Sequence, residues 1–429
     1  MFYPVKLGLR SLFYRIRQYV SLLLVCIVGI GVSLFCISLI KGMLASLSDK
    51  ARIYYGGDLQ FMGGRYNLDM DDYPSYIEQL ENIFKEDAVV SPRYDFDADF
   101  SRLYFEGTGV RQRVIKGVDF AREQKLFERF NYVEGSAKDM AGSNGILLSM
   151  PIARMLEASA GDEITFIIKN IHGYTESVSL VVKGIFKDSS LFGMFTSYID
   201  IHCLQKAYGV PEGYANRIAV SFNNKKPSYK QINLYQKQLS DVYNMFPLVN
   251  DKYKFYDRLL GGSFDKPTFA LIPLNANLQE LKVLISAMTL IAAFIIVTLV
   301  TIIVAGISST YRVIVMKRIN ELGIYMAIGM KRSGIFISVI LESFFLLFTG
   351  GLFGFLFSIL LNKIAGLFNF SFIPAFDVFL VDGHLVPLVS AGAVLFIEGT
   401  VFLFTLIAIS LAVKKAVSMT PAAALGANN

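Results

Sequence analysis

Four long apolar runs alternate with polar stretches along the chain, one near its start and three near its end. The first contains no charged residue from Val20 to Ile40, which is long enough for a helix to cross the ~30 Å hydrocarbon core of a membrane. The pattern predicts four transmembrane helices in a 1+3 arrangement. The predicted spans occupy residues 20–44, 282–310, 334–361 and 386–413.

The stretch between the first and second spans has the mixed pattern of an ordinary folded domain. Alternating apolar runs at Ile164–Ile168 and Ser177–Val182 flank a polar turn and predict a β-hairpin. Residues Tyr73–Phe84 and Lys230–Val242 have helical periodicity. The chain is therefore predicted to be an α-helical membrane protein with a large α+β domain at residues 45–281, organised as two lobes.

Basic residues cluster in alternate loops and at both ends of the chain, and their distribution predicts the orientation of the spans. The loop at 311–333 holds five basic residues against a single acid, Glu321. Because positively charged loops stay in the cytoplasm, this loop and both termini are predicted to be cytoplasmic. Residues 45–281 and the loop at 362–385 are then extracytoplasmic, and residues 414–429 form a cytoplasmic tail.

The first 19 residues carry basic side chains and no acidic one. The apolar positions among residues 1–19 have helical spacing, which predicts an amphipathic elbow helix on the membrane surface. A secretory signal peptide is the alternative interpretation. The long apolar run and the three later spans favour an uncleaved first span.

Composition excludes several classes of function. Hydrophobic residues make up 54% of the 429 residues and charged residues 18%, which is too apolar for an ordinary soluble protein. The net charge of +6 comes from residues beside the apolar runs, so no nucleic-acid binding is expected. P-loop, HExxH and GxSxG patterns do not occur, and His172, His202 and His384 are scattered along the sequence. The chain is predicted to be non-catalytic, with no metal site and no cofactor of its own.

Two carboxylic acids lie inside the predicted spans. Glu398 is near the middle of the fourth span, where a charge costs about 2.5–3.5 kcal/mol, so a functional role and a structural polar contact are both open. Glu342 lies about two turns inside the third span, from where its side chain could extend to the cytoplasmic interface. Glycines at Gly29–Gly31, and at Gly350 and Gly354 in a GxxxG pattern, predict close helix packing.

The most patterned segment is the cytoplasmic loop from Met316 to Arg332. Its apolar residues fall on one helical face, surrounded by charged ones. A short amphipathic helix between two spans is what a permease needs in order to dock into a motor subunit, and a helix on the membrane surface is the alternative. The apolar face consists of Leu322, Tyr325, Met326 and Met330. The predicted motor-contacting residues are Arg318, Glu321, Leu322, Gly323, Tyr325, Met326, Gly329 and Lys331.

Three segments together resemble the FtsX/MacB superfamily of ABC transporter permeases. The N-terminal Leu9–Leu12 resembles the family's basic elbow, and the tail Ala416–Leu425 resembles its closing P-x-x-A-L signature. The loop resembles its pattern of a basic pair, E-x-G-I, A-x-G and a second basic pair. The matching loop positions are Arg318, Glu321, Gly323, Ile324, Ala327, Gly329, Lys331 and Arg332.

The external domain is most similar to the lipoprotein-releasing LolC/LolE branch. The similarity is carried by Gly145–Ser149, by Gly161–Thr165 and by Lys183–Phe186. It implies a MacB-like periplasmic core domain and a permease that extracts lipoproteins from a bacterial inner membrane by mechanotransmission. The turn at Lys169–Glu176 is short where the carrier-recruiting member of the branch has a long hook, so capture of a periplasmic carrier by this chain is not expected from that turn.

The resemblance also implies partners and a path for the cargo. Two copies of a separate ATPase subunit would bind ATP and Mg, and a second permease protomer would complete a homodimer or a heterodimer in the membrane lipid. Leu34, Phe35 and Leu39 of the first span form the candidate wall for the acyl tails of a lipoprotein. A MacB-like efflux permease and an FtsX-like signalling protein that controls a cell-wall hydrolase are the alternatives.

Overall fold

The computed structural model describes residues 16–65, 67–68, 70–97, 101–112, 114–188, 190, 192–223 and 226–417. Most of the predicted elbow helix at residues 1–19 and the tail signature beyond Val417 lie outside the described residues. The chain divides into two compact units. Of the described residues, the membrane unit contains those up to Leu44, Ile285–Asn369 and those from His384 onward, and the α+β unit contains those within Ala45–Leu284 and Phe370–Gly383.

The helices are named here in chain order. They are α1 Ile16–Tyr55, α2 Tyr73–Phe84, α3 Gln124–Phe127, α4 Met150–Leu156, α5 Ile201–Tyr208, α6 Tyr229–Ser240, α7 Tyr253–Leu260, α8 Leu274–Asn277, α9 Lys282–Lys317, α10 Ile319–Ala327, α11 Arg332–Leu367 and α12 Ala391–Val417. Short 3₁₀ turns occupy Lys85–Asp87, Leu278–Leu281 and Pro374–Phe379.

Among the described residues, four helices are long and apolar enough to cross a membrane, namely α1, α9, α11 and α12. The first three extend beyond their predicted spans. Helix α12 begins at Ala391 rather than at residue 386, because Pro387 lacks a backbone N–H and the N–H of Leu388 donates to the Ser38 carbonyl of α1 at 2.9 Å. The prediction of a helical membrane protein with a large α+β domain is confirmed.

The described part of the α+β unit forms a 12-stranded mixed sheet. Its strands are β1 Leu59–Gly64, β2 Ala88–Asp97, β3 Arg102–Phe105, β4 Thr108–Arg111, β5 Val114–Val118, β6 Tyr132–Gly135, β7 Gly145–Ser149, β8 Glu163–Lys169, β9 Thr175–Phe186, β10 Thr196–Asp200, β11 Arg217–Phe222 and β12 Thr268–Pro273. Their spatial order is β12-β1-β11-β2-β5-β10-β7-β9-β8-β3-β4, with β6 paired to β9. The pairs β5–β10 and β7–β9 are parallel, and the other pairs are antiparallel.

The local predictions for this unit agree with the structure. Strands β8 and β9 form the predicted hairpin, in register from Glu163 opposite Val181 to Lys169 opposite Thr175. Helix α2 has the predicted limits, and α6 begins and ends within two residues of its predicted limits. One sheet runs through the unit, with separate buried clusters around Leu80 on one half and around Phe166 on the other.

Candidate coupling site

The cytoplasmic loop is a short helix held between two spans. Helix α9 ends at Lys317, α10 follows after Arg318, and α11 begins at Arg332. Helix α10 ends in a Schellman turn, in which the N–H of Met330 donates to the Tyr325 carbonyl at 3.0 Å. Gly329 takes the left-handed position of this turn with φ +89°, where a side chain would be strained. The predicted helix in the loop is therefore present, and Gly329 is its terminator.

A buried polar cluster joins this loop to two spans. Glu342 of α11 is only 1% exposed, and the Nη1 of Arg318 donates to both of its carboxylate oxygens at 2.8 and 2.9 Å. The hydroxyl of Tyr19 in α1 donates to the Oε1 of Glu342 and accepts from the Nη1 of Arg318 at 3.0 Å. We call Tyr19, Arg318 and Glu342 the arginine cluster. Removing one member of such a buried pair costs about 3–5 kcal/mol, because the other charge is left without a partner.

The arginine cluster corrects one expectation from the sequence. Glu342 does not extend to the interface, because Arg318 reaches it inside the membrane unit. Glu321 also pairs with Arg318, at 3.5 Å between Oε2 and Nε, but the carboxylate of Glu342 is closer. Sequence analysis missed Tyr19, whose only signal was a polar hydroxyl at the start of an apolar run.

The face of α10 that was predicted to contact a motor packs against the chain's own helices. Leu322 and Gly323 are buried, and Tyr325, Met326 and Met330 pack against the buried core of the membrane unit. This corrects the assignment of Arg318, Leu322 and Gly323 as motor contacts. The physical reason is the shortness of the connections at both ends of α10, which bring its apolar stripe directly onto α9 and α11.

The opposite face of α10 is exposed and apolar. Ile324 is 51% exposed and Ile328 is 76% exposed, beside Ala327, Gly329 and Lys331. We call these five residues the tip surface. Of the predicted contact residues, Gly329 and Lys331 lie on the tip surface, Glu321 is half-buried, and the others face the bundle. The tip surface ends in the Schellman turn. Arg318, a member of the arginine cluster, directly precedes the same helix.

The predicted glycine contacts between spans are present. A Cβ added at Gly350 of α11 would lie 2.6 Å from the Cβ of Cys26, and one at Gly354 would lie 3.1 Å from the Cβ of Ile30. A Cβ at Gly31 of α1 would lie 2.9 Å from the Gly354 carbonyl oxygen. Spans one and three therefore pack at backbone distance, as small residues allow in membrane helices.

The candidate cargo wall is only partly available. Leu34 is buried in the core of the membrane unit, so it cannot contact an acyl chain from outside the bundle. This corrects its assignment, and the cause is that α11 and the other spans cover this side of α1. Phe35 and Leu39 are half-buried, and the exposed residues of α1 include Leu24 and Val28.

Glu398 has surroundings unlike those of Glu342. It is half-buried on α12 and lines a cavity of about 190 Å³ whose other lining residues are apolar. Within the described part of the chain, no group hydrogen-bonds to its carboxyl or forms an ion pair with it. The structural polar contact considered from the sequence is therefore not made by the described residues.

The α+β unit holds a second group of buried charges, which the sequence did not reveal. Asp95 of β2 accepts from Lys116 of β5 at 2.5 Å and pairs with Arg217 at 3.0 Å. Burial lowers the pKa of Lys116 to about 8, although the charge of Asp95 acts in the opposite direction. Arg93 pairs with Glu123 and donates to the carbonyls of Ile53 and Tyr54 at the end of α1.

These charges form structural pairs. The described residues contain no group of three or more His, Cys, Asp or Glu side chains that could hold a metal ion. The ring of His202 lies 3.1 Å from Asp200, a contact that the sequence did not suggest. The three cysteines are free.

Comparison with known proteins identifies the region that contains the loop. Residues 293–421 match a family described as FtsX-like permease C-terminal. This region, which holds most of the last three spans, is therefore similar to the FtsX-like permeases. It includes the tip surface, Arg318, Glu342 and Glu398, and the match supports a permease subunit of an ABC transporter. Members of this family are in general non-catalytic membrane subunits.

A second similarity is to a solved structure. The periplasmic region of MacB from Actinobacillus actinomycetemcomitans aligns with a TM-score of 0.32 and 10% identity, covering 54% of this chain and 95% of that one. A similarity at that level does not carry an assignment. No curated protein matches the chain significantly.

Proposed function

We propose that this chain is the permease subunit of an ABC transporter and that a separate ATPase binds its tip surface. The observation that carries this proposal is an exposed apolar tip on a helix whose other face is bonded into the bundle. Exposed isoleucines at a loop between two spans suit a partner that covers them. The matched FtsX-like permease family supports the same assignment.

The arginine cluster gives this docking a mechanical consequence. A displacement of α10 by the ATPase would act on Arg318, and through its bonds on Tyr19 of α1 and Glu342 of α11. Helix α1 would carry the motion toward the α+β unit, in which its C-terminal residues are bonded by Arg93. This is how we propose that ATP hydrolysis drives work outside the cytoplasm without an ATP site on this chain.

The docking proposal is tested by changing Ile328 to aspartate, which places a charge at the most exposed position of the tip surface. Leu234→Asp is the matched control, because Leu234 is an exposed apolar residue of α6 in the α+β unit. Permease-stimulated ATP hydrolysis should fall about tenfold or more in Ile328→Asp and stay near the wild-type rate in Leu234→Asp. Normal stimulation by a correctly inserted Ile328→Asp variant would contradict the proposal.

We further propose that both termini are cytoplasmic and that the α+β unit lies outside the cytoplasm of a bacterial inner membrane. In a background without the native cysteines, cysteines placed at Ile328 and at Asp49 report the two sides, since both positions are exposed. An impermeant maleimide should label the position 49 variant in intact cells and the position 328 variant only after lysis. Labelling of position 328 in intact cells would reverse the orientation.

The cargo that we propose is a lipoprotein, extracted from the inner membrane by mechanotransmission. Removing acyl chains from a bilayer costs about 0.8 kcal/mol per CH₂, on the order of 10 kcal/mol for one long chain, so release needs an external energy source. A large folded domain joined to a membrane unit suits a substrate that has acyl tails and a polar body. The proposed partners are two ATPase copies, a second permease protomer and a periplasmic carrier that does not dock on the short turn at Lys169–Glu176.

Photo-crosslinking tests this cargo with an internal control. A crosslinker at half-buried Phe35 or Leu39 should capture a lipoprotein, whereas one at buried Leu34 should not. Depletion of the protein should retain outer-membrane lipoproteins in the inner membrane. Intact lipoprotein sorting in depleted cells would reject this cargo. Drug sensitivity would then support efflux, and failure of cell separation would support signalling to a hydrolase.

A further inference from the structure

A small cavity in the membrane unit contains one acidic group. It is lined by α11 and α12, with Ile30 of α1, and Glu398 is the ionisable member of its described lining. Three aromatic residues line the same cavity, namely Phe348, Phe355 and Phe402. Gly351 leaves room beside the carboxyl, because an added Cβ there would lie 3.6 Å from it.

The carboxyl of Glu398 has no polar partner among the residues that the structure describes. An ionised carboxyl within a membrane helix is costly unless another group neutralises it or bonds to it. Glu342 in the same unit shows the satisfied arrangement, with an arginine and a tyrosine on its oxygens. A group that neutralises or bonds to the Glu398 carboxylate would therefore come from outside the described chain.

The shape and lining of the cavity indicate the chemistry of that group. A volume of about 190 Å³ suits a small head group with its first few carbon atoms. A cation neutralises the carboxylate and is also attracted to the faces of aromatic rings. An uncharged hydrogen-bonding group would leave the charge of the carboxylate in place.

We propose that this cavity binds the protonated amine of a lipophilic ammonium compound. The ammonium donates to the Glu398 carboxylate among the three phenylalanines, and the alkyl chain leaves the cavity past Phe348 and Leu352, which are both exposed on the bundle surface. The cavity shares no lining residue with the tip surface or with the candidate cargo wall at Phe35 and Leu39, so its test does not depend on the proposed lipoprotein cargo. It would let such a compound bind directly from the lipid phase.

Tryptophan fluorescence can measure binding at this site alone, because the chain contains no tryptophan. The full-length protein with Phe402→Trp, in a neutral maltoside detergent, is titrated with a brominated alkylamine and with the brominated alcohol of equal chain length. Half-maximal quenching should need about tenfold less amine than alcohol, since only the amine pairs with the carboxylate. In Phe402→Trp combined with Glu398→Gln, the two probes should become equivalent.

Matched variants distinguish binding of the probe in the cavity from its general partitioning into the detergent. Phe294→Trp places the reporter on an exposed part of α9 and should show no amine preference. Gly351→Ala should weaken amine quenching, whereas Gly399→Ala should not, because an added Cβ at Gly399 meets no atom within 4 Å. Phe348→Trp is the second reporter if Phe402→Trp does not fold. Equal quenching by amine and alcohol at the cavity reporter, or an amine preference that survives Glu398→Gln, would overturn the proposal.

Discussion

Glu342 and Glu398 are the same residue type in neighbouring spans of one unit, yet their surroundings are opposite. The carboxylate of Glu342 is bonded by Arg318 and Tyr19, which belong to a loop and to another span. The carboxyl of Glu398 faces a cavity lined by apolar side chains. The comparison shows that a carboxylate inside a span is structural when the chain brings a cation to it. It is a candidate binding group when the chain does not.

The largest expected effect comes from removing the cation that pairs with Glu342. Arg318→Ala leaves Glu342 buried without its cation and should lower the free energy of unfolding in mixed micelles by about 3–5 kcal/mol. The double variant Arg318→Leu with Glu342→Leu removes both charges and should regain most of the loss. If the losses measured for Arg318→Leu and for Glu342→Leu singly add up in the double variant, the two residues are not coupled.

The next effect concerns Glu398, whose carboxyl has no polar partner among the described residues. Glu398→Gln keeps a polar group of the same shape and should change the free energy of unfolding by less than about 1 kcal/mol, whereas Glu398→Lys should lower it by about 2.5–3.5 kcal/mol. Both are measured in the same micelles as the Arg318 variants. Equal tolerance of glutamine and lysine would indicate that water reaches this position and that the comparison with Glu342 does not hold.

Lys116 extends the comparison to a buried charge in the α+β unit. Because burial lowers its pKa from 10.5 to about 8, the unfolded chain binds more protons than the folded one between these values. The free energy of unfolding should therefore increase as pH rises through this window, by about 1–2 kcal/mol between about pH 7.5 and about pH 9.5. Lys116→Met should lose this increase. If the free energy of unfolding of the wild-type protein, measured relative to that of Lys116→Met, does not increase with pH, the lowered pKa of Lys116 is refuted.

The smallest effect tests the third member of the arginine cluster. Tyr19→Phe removes one hydroxyl and leaves the bonds between Arg318 and Glu342 in place. It should lower the free energy of unfolding by about 1 kcal/mol, the usual contribution of one hydrogen bond. Permease-stimulated ATP hydrolysis by the Tyr19→Phe variant should fall as well, since the variant disconnects α1 from Arg318. Stimulation at the wild-type rate would place the transmission through Glu342 alone.

Hydrophobic periodicity was sufficient to predict the fold class, because each span and each strand is encoded by neighbouring residues. The hairpin of β8 and β9, the limits of α2 and the close contacts of Gly350 and Gly354 follow from such local patterns. The start of α12 was missed because the run at residues 386–390 is apolar but contains Pro387. The sheet order depends on pairings between distant strands, and no local pattern contains it.

The candidate site was predictable in position but not in orientation. The charged and apolar pattern of residues 316–332 located α10 correctly, yet its amphipathic stripe fits its own bundle as well as it would fit a partner. Only the three-dimensional arrangement shows that Leu322 faces inward and Ile328 outward. Tyr19 and Glu342 are 323 residues apart, so their bond could not be inferred from spacing.

The glycine contact between α1 and α11 restricts how this unit can move. Gly31, Gly350 and Gly354 allow the two backbones to approach closely on one face of each helix. Turning either helix about its own axis would bring larger side chains into this contact. Rotation is therefore blocked, while tilting of one helix against the other keeps the contact. These three glycines then act as a pivot. A displacement of one end of α11 produces an opposite displacement at its other end.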